Sequence, residues 1–348
     1  MKTITDIAKM QEFSMQLHVG GLRVGFVPTM GYLHEGHLEL IRAARRDCDV
    51  VIVSIFVNPT QFNRRDDFDS YPRDEERDRR LLEAERVDVL FLPRAEDVYP
   101  AGAATSVHVS GLTETLCGPG RPGHFDGVTT VVAALFNMVR PDVAYFGEKD
   151  YQQLQVVRRM TEDLHFPIRI VGVPTVREAD GLAMSSRNAR LDAGQRQAAV
   201  VLSRALQAAA DAFAGGERES RRLIDIARAR IETEPQVRVE YLEVVGGADV
   251  QPVETAGADS VMAVAAWLGD VRLIDNVILG RGIVVSGNRS EGRGRPAAAG
   301  GGPTKTLGGR AAGSAAPEPT GDEIIEPPGV GSLQTGLDAK QGGGDGTP

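Results

Sequence analysis

His34 and His37 stand three residues apart in the run Pro28-Thr29-Met30-Gly31-Tyr32-Leu33-His34-Glu35-Gly36-His37. That spacing puts both imidazoles on one helix face near its start. Residues 24–27 are apolar, and Leu38, Leu40, Ile41 and Ala44 follow with helical period, so the turn joins a strand to a helix. Free backbone N–H groups and the positive helix end favour phosphate there. Far along the chain, Met184-Ser185-Ser186-Arg187-Asn188 supplies two hydroxyls and a planar guanidinium fork suited to paired phosphate oxygens. Gly147-Glu148-Lys149-Asp150 adds a compact ammonium directly after an apolar run. Singly, each has a blander explanation: a helix-start cap, a solvated turn, a Ser/Asn turn. Combined in one chain, they specify phosphate chemistry.

The elements that must position these groups fall into three regions. From about residue 20 to 176, strand and helix patterns alternate. Residues 49–57 are almost continuously apolar and β-branched, as in a central parallel strand covered on both faces. Further strands are expected at 87–92, 143–146 and 168–173, with helices at 73–86, 126–140 and 150–164. Such alternation predicts an α/β fold, a Rossmann-like doubly wound parallel sheet that binds ligands at the carboxyl ends of its strands. Both the histidine turn and the Gly147 turn fall at such ends. Residues 177–282 read as a smaller α+β domain covering the first, with helices at 192–214 and 218–233 and strands at 237–245, 260–268 and 271–279. Leu268-Gly269-Asp270 marks a tight hairpin turn between the last two. The expected division is therefore 1–176, 177–282 and a disordered tail, 283–348. Residues 287–348 hold 17 Gly, 7 Pro and no aromatic, too little apolar surface to offset the entropy of ordering.

Composition excludes several classes. Net charge is −9 and no basic stripe with interleaved aromatics occurs, which argues against nucleic acid as a partner. Cys48 and Cys117 lack metal-ligand spacing and read as reduced thiols, so no protein metal site is expected. The first 16 residues lack the basic-then-apolar pattern of a secretory signal, and no uninterrupted apolar stretch is long enough for a bilayer. A cytoplasmic protein without membrane contact is expected.

Five blocks in order carry a resemblance: PTMGYLHEGH (28–37), VSIFVNPTQF (53–62), GPGRPGHFDGVTTVV (118–132), YFGEKDYQQL (145–154) and VPTVREADGLAMSSRN (173–188). They resemble the pantothenate synthetase family (pantoate–β-alanine ligases) of the cytidylyltransferase-like superfamily, over residues 1–282. H-x-G-H alone would be weak; five ordered blocks are specific. Tyr32 stands where that family usually has Ala, and Val98-Tyr99-Pro100 replaces its Met-Tyr-Pro.

The resemblance implies a two-step reaction. Pantoate carboxylate attacks the α-phosphate of ATP, and the amine of β-alanine then displaces AMP to give pantothenate. It implies ATP contacts at Met30, Gly31, His34, His37, Gly147, Glu148, Lys149, Asp150, Val176, Met184, Ser185, Ser186 and Arg187, with Mg²⁺ accompanying ATP. His37, His34, Lys149 and Arg187 are the implied catalytic groups, His37 as proton donor. Val176 is expected near adenine and Asp150 near ribose. Gln61 and Gln153 match the pantoate-binding glutamines, and Asn58 is expected to fix the loop carrying Gln61. Arg121 and His124 lie in a glycine- and proline-rich segment with open roles. A homodimer is implied by the resemblance alone. Two rivals share parts of the pattern: a nucleotidyltransferase that releases an adenylated product, and an ATP-binding regulator without catalysis.

Overall fold

A computed structural model describes residues 1–283. The chain runs β1 (Lys2–Ile4), α1 (Ile7–Val19), β2 (Val24–Thr29), α2 (Glu35–Asp47), β3 (Val50–Ile55), α3 (Arg65–Asp69), α4 (Glu75–Ala84), β4 (Val89–Phe91) and α5 (Ala95–Val98). It continues with α6 (Cys117–Gly120), α7 (His124–Val139), β5 (Val143–Gly147), α8 (Tyr151–Asp163) and β6 (Arg169–Val173). The last elements are α9 (Ala193–Ala214), α10 (Ser220–Ile231), β7 (Val237–Val245), β8 (Val261–Leu268) and β9 (Val271–Ile278).

Six strands form one parallel sheet in the order β1-β4-β3-β2-β5-β6. The expected doubly wound sheet is therefore present. β3 carries the apolar run, its middle four residues fully enclosed, because helices cover both faces. The chain winds outward from β2 to one side and returns through β5 to the other. The crevice at the carboxyl ends of β2 and β5 is thus the topological switch point, where such sheets take ligands. The strand at Lys2–Ile4 and helix α1 were not marked by the sequence pattern. Three residues at a sheet edge are too few to show a period, and α1 is only weakly amphipathic.

β7, β8 and β9 form a separate antiparallel sheet, with β8 and β9 joined across the two-residue turn Gly269-Asp270. One side of this sheet packs on α9 and α10, where Ala199, Leu202, Leu206, Leu223 and Ala227 meet Val264 and Leu268. On the other side Val261, Ala263 and Ile278 belong to the same core as Phe26, Phe136 and Val156 of the parallel sheet layer. Each fully enclosed aliphatic side chain contributes on the order of 1.5–3 kcal/mol. This shared core holds β9 against the switch point. Except for Ile283, the tail expected at 283–348 lies outside the described residues.

Candidate active site

The turn after β2 is built before any ligand arrives. Gly31 takes φ +79 and Tyr32 φ +49, a conformation that an aromatic residue adopts only under constraint. The constraint is Asp78 of α4, whose buried carboxylate accepts the Tyr32 N–H at 2.7 Å and the Leu33 N–H at 2.8 Å. A Cβ on Gly31 would meet that carboxylate at 3.1 Å and Ile55 at 3.0 Å, so the position also needs glycine for space. Gly31 therefore shapes the turn from behind rather than lining the cavity.

His34 then caps α2. Its backbone N–H donates to Nδ1 of His37 at 3.2 Å, so the His37 proton sits on Nε2, the nitrogen left to donate elsewhere. The rings stand 4.1 Å apart, tilted by 38°. Nδ1 of His34 is buried and has no hydrogen-bond partner. A Cβ on Gly36 would strike the His34 ring at 2.9 Å, so glycine is what lets the imidazole lie against the helix start. Burial, then the Lys149 ammonium, pushes the His34 pKa down to about 4. Burial and then the His34 ring hold His37 well below its usual value. Both imidazoles are neutral at pH 7.

One cavity gathers the expected residues. Met30, His34, His37, Gln61, Gly147, Lys149, Asp150, Gln153, Val176, Met184, Ser185, Ser186 and Arg187 all line it. Glu148 does not: its carboxylate turns outward to Arg281 at 3.2 Å. Lys149 stands 4.0 Å from Asp150, while Arg187 is tied at 3.2 Å to Asp67 of α3. The Ser185 hydroxyl oxygen accepts the Arg187 backbone N–H, and Ser186 approaches the buried Tyr71 hydroxyl at 3.4 Å.

The two glutamines differ in how they are held. Gln61 accepts from the Asn58 amide at 3.1 Å, and Asn58 donates also to the Gly127 carbonyl at 3.0 Å. Asn58 Oδ1 accepts from the Thr60 and Tyr99 hydroxyls, so this side chain fixes the loop as expected. Gln153 faces the cavity from the first turn of α8. Its neighbour Gln152 is spent on structure, bonding Cys117 N–H and the carbonyls of Leu112 and Thr115. His124 Nδ1 lies 2.8 Å from the Gln61 carbonyl, and its Nε2 receives Arg121 at 3.0 Å. Burial, with Arg187 next, lowers the Arg121 pKa to about 10. Among the described residues no carboxylate pairs with Arg121. The cavity therefore carries surplus positive charge and an orphaned imidazole nitrogen, an environment that fits a polyphosphate.

Residues 2–278 match the family model described as pantoate-beta-alanine ligase. The chain belongs to the pantoate–β-alanine ligase family. It is 56% identical over 279 residues to the pantothenate synthetase of Heliobacterium modesticaldum, covering 80% of this chain and 99% of that protein. The solved pantothenate synthetase of Thermus thermophilus superposes with a TM-score of 0.75 at 47% identity, covering 80% of this chain and 99% of that one. A pantoate–β-alanine ligase from Francisella tularensis, solved in complex with beta-gamma ATP and β-alanine, gives a TM-score of 0.66 at 32% identity, covering 80% and 98%.

Within this pantoate–β-alanine ligase fold, Asp78, Tyr71 and Asp67 are site-building residues that the sequence alone did not single out. Asp78 sits in a charged helix whose pattern looks solvated, and only the turn it meets reveals its task. Asp67 lies in a five-residue helix, too short to show a period, and Tyr71 in the loop just after it. Among the described residues no group of three or more His, Cys, Asp or Glu side chains is placed to hold a metal ion. Mg²⁺ accompanying ATP would be carried mainly by phosphate oxygens, as is usual for that ion.

Proposed function

We propose that this cavity holds ATP and pantoate together and activates the pantoate carboxylate as an adenylate. The chain is an ATP-dependent ligase that joins pantoate to β-alanine to make pantothenate. What carries the account of the site is the convergence of two strand-end turns and the distant Met184–Arg187 loop on one cavity.

In the first step a pantoate carboxylate oxygen bonds to the α-phosphorus, and the bond from that phosphorus to the bridging oxygen breaks, releasing pyrophosphate. The nucleophile is held by Gln61 and Gln153, neutral amides that read hydroxyl and carboxylate without burying another charge. Nε2–H of His37 donates to the phosphate oxygens, where charge develops. His34 Nδ1, which has no partner within the protein, donates there as well in the tautomer that carries its proton on that nitrogen. Lys149 and Arg187 offset charge on the leaving pyrophosphate. His37 thus places its Nε2 hydrogen where the phosphate charge grows. In the second step the amine nitrogen of β-alanine attacks the acyl carbon, AMP leaves with its electron pair, and the nitrogen loses a proton.

Residues 1–176 form the nucleotide and pantoate layer in this account, and 177–282 its cover. Arg187 gives one N–H to Asp67, and the rest of its five-donor fork can meet phosphate oxygens. Among the described residues no helix is long and apolar enough to cross a membrane. A cytoplasmic homodimer is the setting we infer from the family. Purified enzyme given pantoate, β-alanine and ATP is expected to release AMP and pyrophosphate in equal amounts with pantothenate. ADP and phosphate as products would refute adenylation.

A further inference from the structure

Asn276 on β9 sits directly against the Lys149 turn. Its side-chain amide donates one hydrogen to the Glu148 carbonyl at 2.9 Å and the other to the Lys149 carbonyl at 2.8 Å. The side chain is buried and lines a small neighbouring cavity, not the one assigned to ATP. An NH₂ group holds its two donors at a fixed angle, so bonding successive carbonyls sets both the position and the rotation of the turn.

The preceding residue holds the opposite side of the site. Asp275 forms a buried two-pronged pair with Arg177, at 2.7 and 2.9 Å. Arg177 also donates to the Gly181 carbonyl, and its backbone bridges to Ala183, the residue just before Met184-Ser185-Ser186-Arg187. A fourth bond from the Arg177 side chain reaches the Asn276 carbonyl at 3.2 Å. Two consecutive residues of β9 thus tie the cationic turn and the serine–arginine loop to one strand. A buried ion pair is weak evidence for stability, and its better-attested use is to fix one arrangement among several.

We propose that Asn276 is a positioning residue for adenylation. It holds the Glu148-Lys149 turn so that the Lys149 ammonium meets the leaving phosphates, without touching substrate itself. The inference rests on the role of Lys149 given above. Misplacing a reacting or charge-stabilising group by about 1 Å can cost on the order of 100-fold.

The test is pantoate-dependent exchange of labelled pyrophosphate into ATP, in full-length enzyme, for Asn276→Ala, Lys149→Ala and the double variant. Asn276→Ala should slow exchange about 10- to 100-fold with the pantoate KM unchanged. In the Lys149→Ala background the same substitution should cost less than about twofold, because the group it positions is gone. Equal losses in both backgrounds would overturn the inference, as would a raised pantoate KM at unchanged maximal rate. If Lys149→Ala alone exchanges at the wild-type rate, it is the role of Lys149 that fails. Should Asn276→Ala not fold, Asn276→Asp keeps the shape while replacing the NH₂ donor with oxygen. Its exchange, read in both backgrounds, must show the same non-additivity.

Discussion

His37 illustrates how much one backbone bond decides. The His34 N–H occupies Nδ1, so the ring can present only Nε2–H to a phosphate oxygen. His37→Ala should therefore lower turnover by about 3–4 kcal/mol, a few hundred-fold, with the pantoate KM little changed. Gln61→Ala should do the reverse and raise the pantoate KM, because its contact is made in the ground state. Steady-state kinetics of the two variants separate these outcomes; the opposite pattern would exchange the roles. The depressed imidazoles also make stability depend on pH. Their folded-state pKa values, about 4 for His34 and about 3 for His124, lie below the ordinary value of 6.5. The unfolded chain then binds more protons, so stability is fully present above about pH 6.5 and falls as pH drops through the window toward 4. Thermal unfolding from pH 7 to pH 4 should show that decline. His34→Asn and His124→Asn, which cannot titrate, should each flatten part of it.

At the scale of elements, the site is a set of turns clamped by neighbours that the sequence hides. The long strands and helices were legible because period and length are strong signals: 143–146 became β5, 237–245 became β7, and 192–214 became α9 with one residue trimmed. H-x-G-H and E-K-D were legible because each follows the end of a strand, whereas S-S-R lies in the connection between β6 and α9 and was legible through the block it belongs to. Asp78 was not, since a carboxylate that accepts two amides from another turn looks, in one dimension, like any helix-surface aspartate. Glu148 shows the opposite limit of a motif: it belongs to the block, yet its carboxylate faces Arg281. Asp78→Ala is expected to cost about 2–4 kcal/mol, because two buried N–H groups lose a charged acceptor while Tyr32 keeps its left-handed backbone. Chemical denaturation measures this, and a cost under about 0.5 kcal/mol, the scale of an ordinary surface substitution, would mean that the turn holds itself.

At the scale of the whole molecule, the second sheet is joined to the proposed site, because one face of it shares the core of the parallel sheet and β9 touches the Lys149 turn. The chain beyond the family match, which ends at residue 278, is a separate matter. Truncation after Ile283 should leave folding and turnover unchanged, as judged by unfolding midpoint and initial rate. Adenylation requires that pantoate be activated before β-alanine takes part. Its most direct test is exchange of labelled pyrophosphate into ATP with pantoate present and β-alanine absent. Rapid exchange is expected under those conditions, suppressed by Lys149→Ala. Exchange that begins only when β-alanine is added would mean that no adenylate forms first, and would contradict it.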